Sequence, residues 1–421
     1  MARLYQKRGG AASAPLPSGV PATTIFPVGD APEIRGSCDA RFAGVREVLA
    51  ENFRAHGEVG AAVAVTLDGR PVVDLWAGWA DGARTRPWRP DTLVDVFSAG
   101  KAMAAVVLLR LVERGRLALD QPVARWWPEF AARGKDDVTV RMVLSHRAAV
   151  PGIRRPLPAL AMYDWTLMTD ALAAEEPWWP PGATHGYHVN TFGFLVGELV
   201  RRASGERLRD IFRRTVAEPL AADFHFGVDA AADGRVAEYL LPDRDDQLAD
   251  HLLAGEARAG AVVDDARRAL LHAVYANPSG ISGFGTVNTP EWRAAEIPST
   301  NGHASARGLA RVYTALACGG VLDGVHVLEP ETIEGAIAEA ATGPDRVLGR
   351  PSRFGLGVQL TQPERPLGTN ARSFGHFGAG GSLGFADPDA RLAFAYVMNN
   401  PGPRWQNPRN RALIDAVYAA V

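Results

Sequence analysis

The sequence predicts an α+β fold: an antiparallel sheet built from both ends of the chain, flanked by terminal helices, with a mainly helical lobe inserted between them. Three observations predict it. Apolar, β-branched runs occur at residues 60–67 and 71–79, and again at 354–360, 382–386 and 392–399. Asp68-Gly69 separates the first two runs and is a strong two-residue hairpin signal. Helical patterns fill the middle and flank the strands at 40–56 and 410–421. Strands from both chain ends pair most simply in one sheet, which leaves residues 119–296 as a lobe. The expected division is an arm over 1–38, an α/β unit from 39–118 and 297–421, and the helical lobe.

The elements follow in order. Pro15, Pro17, Pro21, Pro27 and Pro32 deny the arm a helix. Phe42, Val45, Val48, Leu49 and Phe53 recur at spacings near three and four, an amphipathic helix that Gly57 closes. After the hairpin, a β-type run at 91–97 leads into an apolar helix from Ser98 to about Arg114. Residues 138–146 read as a short helix capped by Thr139. The stretch 151–181, rich in Pro, Met and Trp, lines a cleft or forms an irregular loop. A second apolar helix covers 190–203 and stops before Ser204-Gly205. Residues 205–295 read as charged helices and loops.

Composition bounds the function. Hydrophobic residues make up 47% and charged residues 22%, as in a globular protein with a sizeable core. The formal net charge of −2 offers no basic field for phosphate backbones, so nucleic acid is not an expected partner. No uninterrupted apolar run reaches spanning length, so no membrane is expected, and without a signal-peptide pattern the cytoplasm is the expected compartment. Two cysteines, Cys38 and Cys318, are too few for a disulfide framework and read as free thiols.

Chemistry concentrates at Phe97-Ser98-Ala99-Gly100-Lys101, where strand gives way to helix. Residues three apart at a helix start share a face, so an amine lies within reach of a hydroxyl. The Ser98 N–H is among the unpaired donors of the first turn, where negative charge is stabilised. A bare Ser-x-x-Lys is a weak signal. The chain has only three lysines, however: Lys7, Lys101 and Lys135. The plain alternative makes Ser98 an N-cap and Lys101 a solvated first-turn residue, although a first-turn Lys opposes the helix dipole. A serine needs a base to attack a carbonyl. Lys101 serves if burial lowers its pKa; otherwise it stays charged and depresses that of a neighbouring phenol. The sequence leaves both open.

Two further stretches join it. Tyr187 in Gly186-Tyr187-His188-Val189-Asn190 sits rigidly at a loop–helix junction. In residues 375–388, glycines at 378, 380, 381 and 384 let backbone approach a ligand, and an N–H there can complete an oxyanion hole. Ser98-Ala99-Gly100-Lys101, Tyr187 and the run from His376 to Gly381, in this order, resemble the serine β-lactamase/penicillin-binding-protein superfamily. The likeness is greatest to its class C-related branch, which includes family VIII carboxylesterases, and covers about residues 40–420. The resemblance implies an acyl-enzyme on Ser98, with Lys101 sharing its proton and Tyr187 as general base and then acid. It implies an oxyanion hole from the N–H groups of Ser98 and Ala379. It places His376 and Gly378 on the substrate, with Val189 and Asn190 beside the tyrosine.

The chain departs from the β-lactamase pattern twice. Val189 stands where an Asn would bind an amide, and His376-Phe377-Gly378 replaces Lys-Thr-Gly. An imidazole there can donate a hydrogen bond without guaranteeing a positive charge. A neutral ester is therefore the expected substrate, with weak β-lactamase action at most. Asn190 could take over the missing amide role. The alternatives are acyl transfer to an amine or alcohol acceptor, and a β-lactam or peptidoglycan sensor with little turnover.

Other candidates stay minor. Trp178 and Trp179 line an acyl pocket or pack in the lobe. His185 and His188 are three apart, but no third ligand stands beside them, so no metal and no cofactor are expected. Asp243, Asp245 and Asp246 lack the Gly and Glu of a calcium loop. His146, after Ser145, reads as structural rather than as the base. Residues 282–285 and 301–305 are candidate cleft loops.

Overall fold

The computed structural model describes residues 31–241, 252–254 and 263–421. Residues 1–30, with Pro15, Pro17, Pro21 and Pro27 of the expected arm, and the acidic run Asp243, Asp245 and Asp246 lie outside the described residues.

Among the described residues, nine strands form one antiparallel sheet. They are β1 (Arg35–Cys38), β2 (Gly60–Leu67), β3 (Arg70–Gly78), β4 (Ala341–Pro344), β5 (Pro351–Phe354), β6 (Gln359–Leu360), β7 (Phe374–Phe377), β8 (Leu383–Asp387) and β9 (Leu392–Met398). Their spatial order is β1-β3-β2-β9-β8-β7-β6-β5-β4. The chain ends therefore meet at the β2–β9 pair, with Ala61 opposite Met398 and Leu67 opposite Leu392. Asp68 and Gly69 have φ of 49° and 77°, the double positive φ that a tight hairpin turn requires, and Leu67 faces Arg70.

The helices that position the site are α1 (Ala43–Ala55), α2 (Lys101–Glu113), α3 (Thr191–Ser204), α4 (Ala306–Ala317) and α5 (Pro408–Tyr418). Every residue of β9 is buried, so both faces of the sheet are covered. Neighbours along a strand face opposite sides. On β8, Gly384 receives Tyr313 of α4, whereas Phe385 stacks on Tyr418 of α5 at 6.5 Å. A Cβ on Gly384 would fall 2.3 Å from the Tyr313 ring, so the missing side chain sets how closely α4 approaches. α1 packs on α5, and the buried pair Glu58–Arg409, at 2.9 Å, ties the two ends of the chain together. α2 is buried along nearly its whole length and packs against α3.

The structure differs from the sequence reading at three places. Residues 354–360 are not one strand: β5 and β6 are separated by a turn with Gly357 at φ 77°, where a Cβ would lie 2.2 Å from that of Ala105 on α2. Residues 35–38, read as the end of an arm, form the edge strand β1 against β3. The run at 91–97 shortens to Val94–Asp95, which joins Gly302–Ala304 and Phe224–Phe226 in a small antiparallel sheet. The last two of these strands come from segments read as loop and helix.

Candidate active site

The nucleophile's position is set by a kink. Phe97 has φ 48°, a left-handed conformation that a bulky side chain rarely adopts. Its N–H donates to Asp95 Oδ1 at 2.7 Å, and Trp292 Nε1 donates to Asp95 Oδ2 at 2.7 Å. Asp95 and Trp292 are buried, so this clamp is shielded from water. The kink opens a 3₁₀ turn (Phe97–Gly100) that runs into α2 and presents Ser98 one turn before Lys101.

Lys101 Nζ is hydrogen-bonded to Ser98 Oγ at 3.0 Å and donates to the Val189 carbonyl at 2.6 Å and to the Ser299 carbonyl at 2.9 Å. The side chain is fully buried, which overturns the reading of a solvated first-turn residue. Burial pushes its pKa well below the ordinary value, and no acidic group opposes the shift. In its neutral form the amine gives its two N–H groups to the two carbonyls and turns its lone pair to the Ser98 O–H.

Tyr187 lies in the loop before α3. Its N–H donates to Asp345 Oδ1 at 3.0 Å, and the same oxygen accepts from Val347 N and Leu348 N. Its ring is held by Phe354 (stacked, 5.7 Å), His146 (edge-on, 4.8 Å) and Trp405 (edge-on, 5.2 Å), and Lys101 Nζ is 4.9 Å from its centroid. The phenol is buried and its oxygen makes no hydrogen bond among the described residues. Burial pushes its pKa well above 10, with the Ser98 hydroxyl opposing. Burial thus shifts both groups toward their neutral forms, the amine downward and the phenol upward.

His376, on β7, donates from Nδ1 to the Phe377 carbonyl at 2.7 Å, while its Nε2 is buried without a partner. Burial, reinforced by Lys101, pushes its pKa down to about 3, so the ring is neutral at pH 7. Gly378 serves a close approach, but to the protein itself: a Cβ there would sit 2.1 Å from the Val96 carbonyl and from Ser382 Oγ. Ala379 follows, its carbonyl accepting from Tyr239 Oη at 2.9 Å. The N–H groups of Ser98 and Ala379 have no acceptor among the described residues.

The remaining candidates divide. Val189 contributes its carbonyl to Lys101. Asn190 spends its Nδ2 on Val274 O and Ser282 Oγ, leaving its Oδ1 buried and unpartnered. Trp179 is buried in the apolar cluster of Tyr187, Phe354 and Val347, and its Nε1 has no partner. Trp178 packs against the edge of the same cluster, donating to Gly152 O under the Arg154 guanidinium. His146 accepts from His188 N at 3.1 Å, and His188 bonds Gly186 O and Val150 N, so both imidazoles brace the tyrosine loop. Among the described residues no three His, Cys, Asp or Glu side chains group to hold a metal. Sequence reasoning missed Asp95, Trp292, Ser299, Asp345 and Trp405, none of which has a local signal.

A buried amine against a hydroxyl, beside an unpaired phenol, is the machinery of a serine hydrolase. The chain belongs to the Beta-lactamase family, whose model matches residues 45–419. It is 39% identical over 371 residues to the esterase/beta-lactamase LipL of Mycobacterium tuberculosis, covering 86% of this chain and 82% of that one. The crystal structure of a family VIII carboxylesterase is 39% identical, with a TM-score of 0.83 over 92% of this chain and 100% of that one. A penicillin-binding-protein homologue from Caulobacter crescentus matches at 40% identity and TM-score 0.83, with the same coverage.

Proposed function

We propose that the protein hydrolyses carboxylic esters through an acyl-enzyme on Ser98. The observation that carries this is Lys101: a fully buried amine, without an acidic partner, hydrogen-bonded to the Ser98 hydroxyl. Its lone pair takes the hydroxyl proton as Oγ adds to the ester carbonyl. The N–H groups of Ser98 and Ala379 receive the oxyanion. Tyr187, held protonated by burial, donates to the departing alkoxide and recovers its proton from Lys101. Water then attacks the acyl-enzyme by the same route in reverse. The groups flanking the reacting carbonyl, His376 and Val189 among them, are neutral, which favours an ester over a β-lactam carboxylate. The relatives named as esterases point the same way.

Intact mass spectrometry after exposure to an ester panel tests the proposal. A transient adduct of acyl mass on the Ser98 peptide, absent from Ser98→Ala, is expected together with steady turnover. Adduct without turnover would make the protein a sensor. Acylated product formed with added amines or alcohols would make it a transferase.

The pH dependence follows from burial. The base works only when neutral, so kcat/KM falls as pH drops through the lowered Lys101 pKa. It stays level into the alkaline range, because the phenol ionises only well above 10. His188 and His376, both near 3, add no inflection around neutrality, and His376→Gln should leave the Lys101 limb in place.

No helix of the described residues is long and apolar enough to cross a membrane. A cytoplasmic location, checked by cell fractionation, is also proposed; it accords with the unpaired thiols of Cys38 and Cys318.

A further inference from the structure

A cavity of about 760 Å³ lies on the outer side of the apolar cluster that holds Tyr187. Tyr275, Val347 and Trp405 belong to both, so the wall of the cavity is also the surround of the phenol. The rest of the lining includes three guanidinium groups, Arg350, Arg365 and Arg404, against a single carboxylate, Glu364.

We infer that the ester cleaved at Ser98 carries an anionic group at its far end, received in this cavity by Arg350, Arg365 and Arg404. The inference rests on the ester-hydrolase reading and adds a substrate class to it. The Arg350 guanidinium lies 4.8 Å from the Trp405 ring centroid, and that ring meets Tyr187 edge-on at 5.2 Å. The same indole therefore touches both the cation and the phenol ring. An arginine stacked on an aromatic face is pre-organised for the two-pronged grip on a carboxylate.

Nearby acidic groups balance these cations only in part. None of the three forms an ion pair among the described residues; Arg365 donates to the Pro351 carbonyl instead. Asp345 is close enough to act on Arg350 and Arg365, but its carboxylate is already engaged by Tyr187 N, Val347 N, Leu348 N and Ser352 Oγ. Glu364 acts on Arg365. Burial and the neighbouring like charge lower Arg350 and also Arg365, the latter to about 10. Like charges gathered in a partly dehydrated recess repel one another, and an entering anion relieves that repulsion. The arrangement also divides the labour of recognition. Neutral groups surround the reacting carbonyl, and positive ones wait at a distance from it.

The test compares p-nitrophenyl hemiglutarate with p-nitrophenyl pentanoate, esters of similar length with and without the terminal carboxylate. The wild-type protein should favour the anionic ester about tenfold or more in kcat/KM, mainly through KM, and added salt should erode the preference. Arg350→Gln and, separately, the exposed Arg404→Gln should each lower the anionic-to-neutral ratio severalfold. An unchanged ratio in both variants, or no wild-type preference, overturns the inference. Calorimetric titration of free glutarate into Ser98→Ala, with and without Arg350→Gln, separates the two readings. Glutarate binding that Arg350→Gln abolishes, without ester turnover by wild type, keeps the anion site and removes the hydrolase. Turnover of the neutral ester without glutarate binding or anionic preference does the reverse.

Discussion

Lys101→Met is expected to lower ester turnover by about 10⁴-fold while leaving a folded protein. Methionine keeps the unbranched stem and fills nearly the same volume, so packing of the buried α2 is retained. What disappears is the lone pair that faces Ser98 Oγ and the two donors to Val189 O and Ser299 O. Each orphaned carbonyl costs about 1–3 kcal/mol, offset in part because a dehydrated amine is no longer buried. A fall of a few degrees in the melting midpoint is thus expected, far too small to account for the lost rate. Lys101→Arg supplies the control. A guanidinium can donate to carbonyls but keeps its proton in a protein, so it cannot act as the base. Turnover should not return with arginine. Retention of activity within tenfold in either variant would remove Lys101 from the proton path.

The parts of this molecule that were legible in its sequence are those in which neighbours along the chain decide the structure. Asp68-Gly69 forms the hairpin because its backbone preference is local. Thr139 caps a helix at Val140–Leu144, and α3 ends at Gly205 with φ 83°, for the same reason. The spacing of Ser98 and Lys101 put amine beside alcohol because one helical turn does so anywhere. Pairing of the chain ends could be read because a strand-rich head and tail have few other partners.

The rest depends on contacts across the fold. Lys101 is held by the carbonyls of Val189 and Ser299, and every residue carries the same carbonyl, so residue identity says nothing of it. The Asp95–Trp292 clamp spans 197 positions of sequence, and the strained Phe97 it secures has no composition of its own. The break between β5 and β6 follows from Gly357 packing against Ala105 on a distant helix. The choice between the two protonation readings stayed open in the sequence for a related cause. Charge proximity can be guessed from a motif, but burial, which outweighs it for both Lys101 and Tyr187, belongs to the assembled core.

Tyr187→Phe should make the protein slower and more stable at once. The Tyr187 oxygen is buried and accepts or donates no hydrogen bond among the described residues, an arrangement that costs about 1–3 kcal/mol relative to a paired hydroxyl. The ring is fixed by Phe354, His146 and Trp405, so phenylalanine occupies the same site without rearrangement. Removing the oxygen should recover about 1 kcal/mol and raise the melting midpoint by about 1–2 °C. Turnover, in contrast, should fall by about 10²-fold or more, because the alkoxide then leaves without a proton donor. The loss should shrink for esters of acidic phenols, which depart unprotonated, and grow for alkyl esters. A structural tyrosine would show the opposite pattern: lower stability and the same fractional loss for every leaving group. An oxygen left unpaired, at a small cost in stability, is what a poised proton donor requires. The paired measurement of melting and leaving-group dependence distinguishes that role from simple packing.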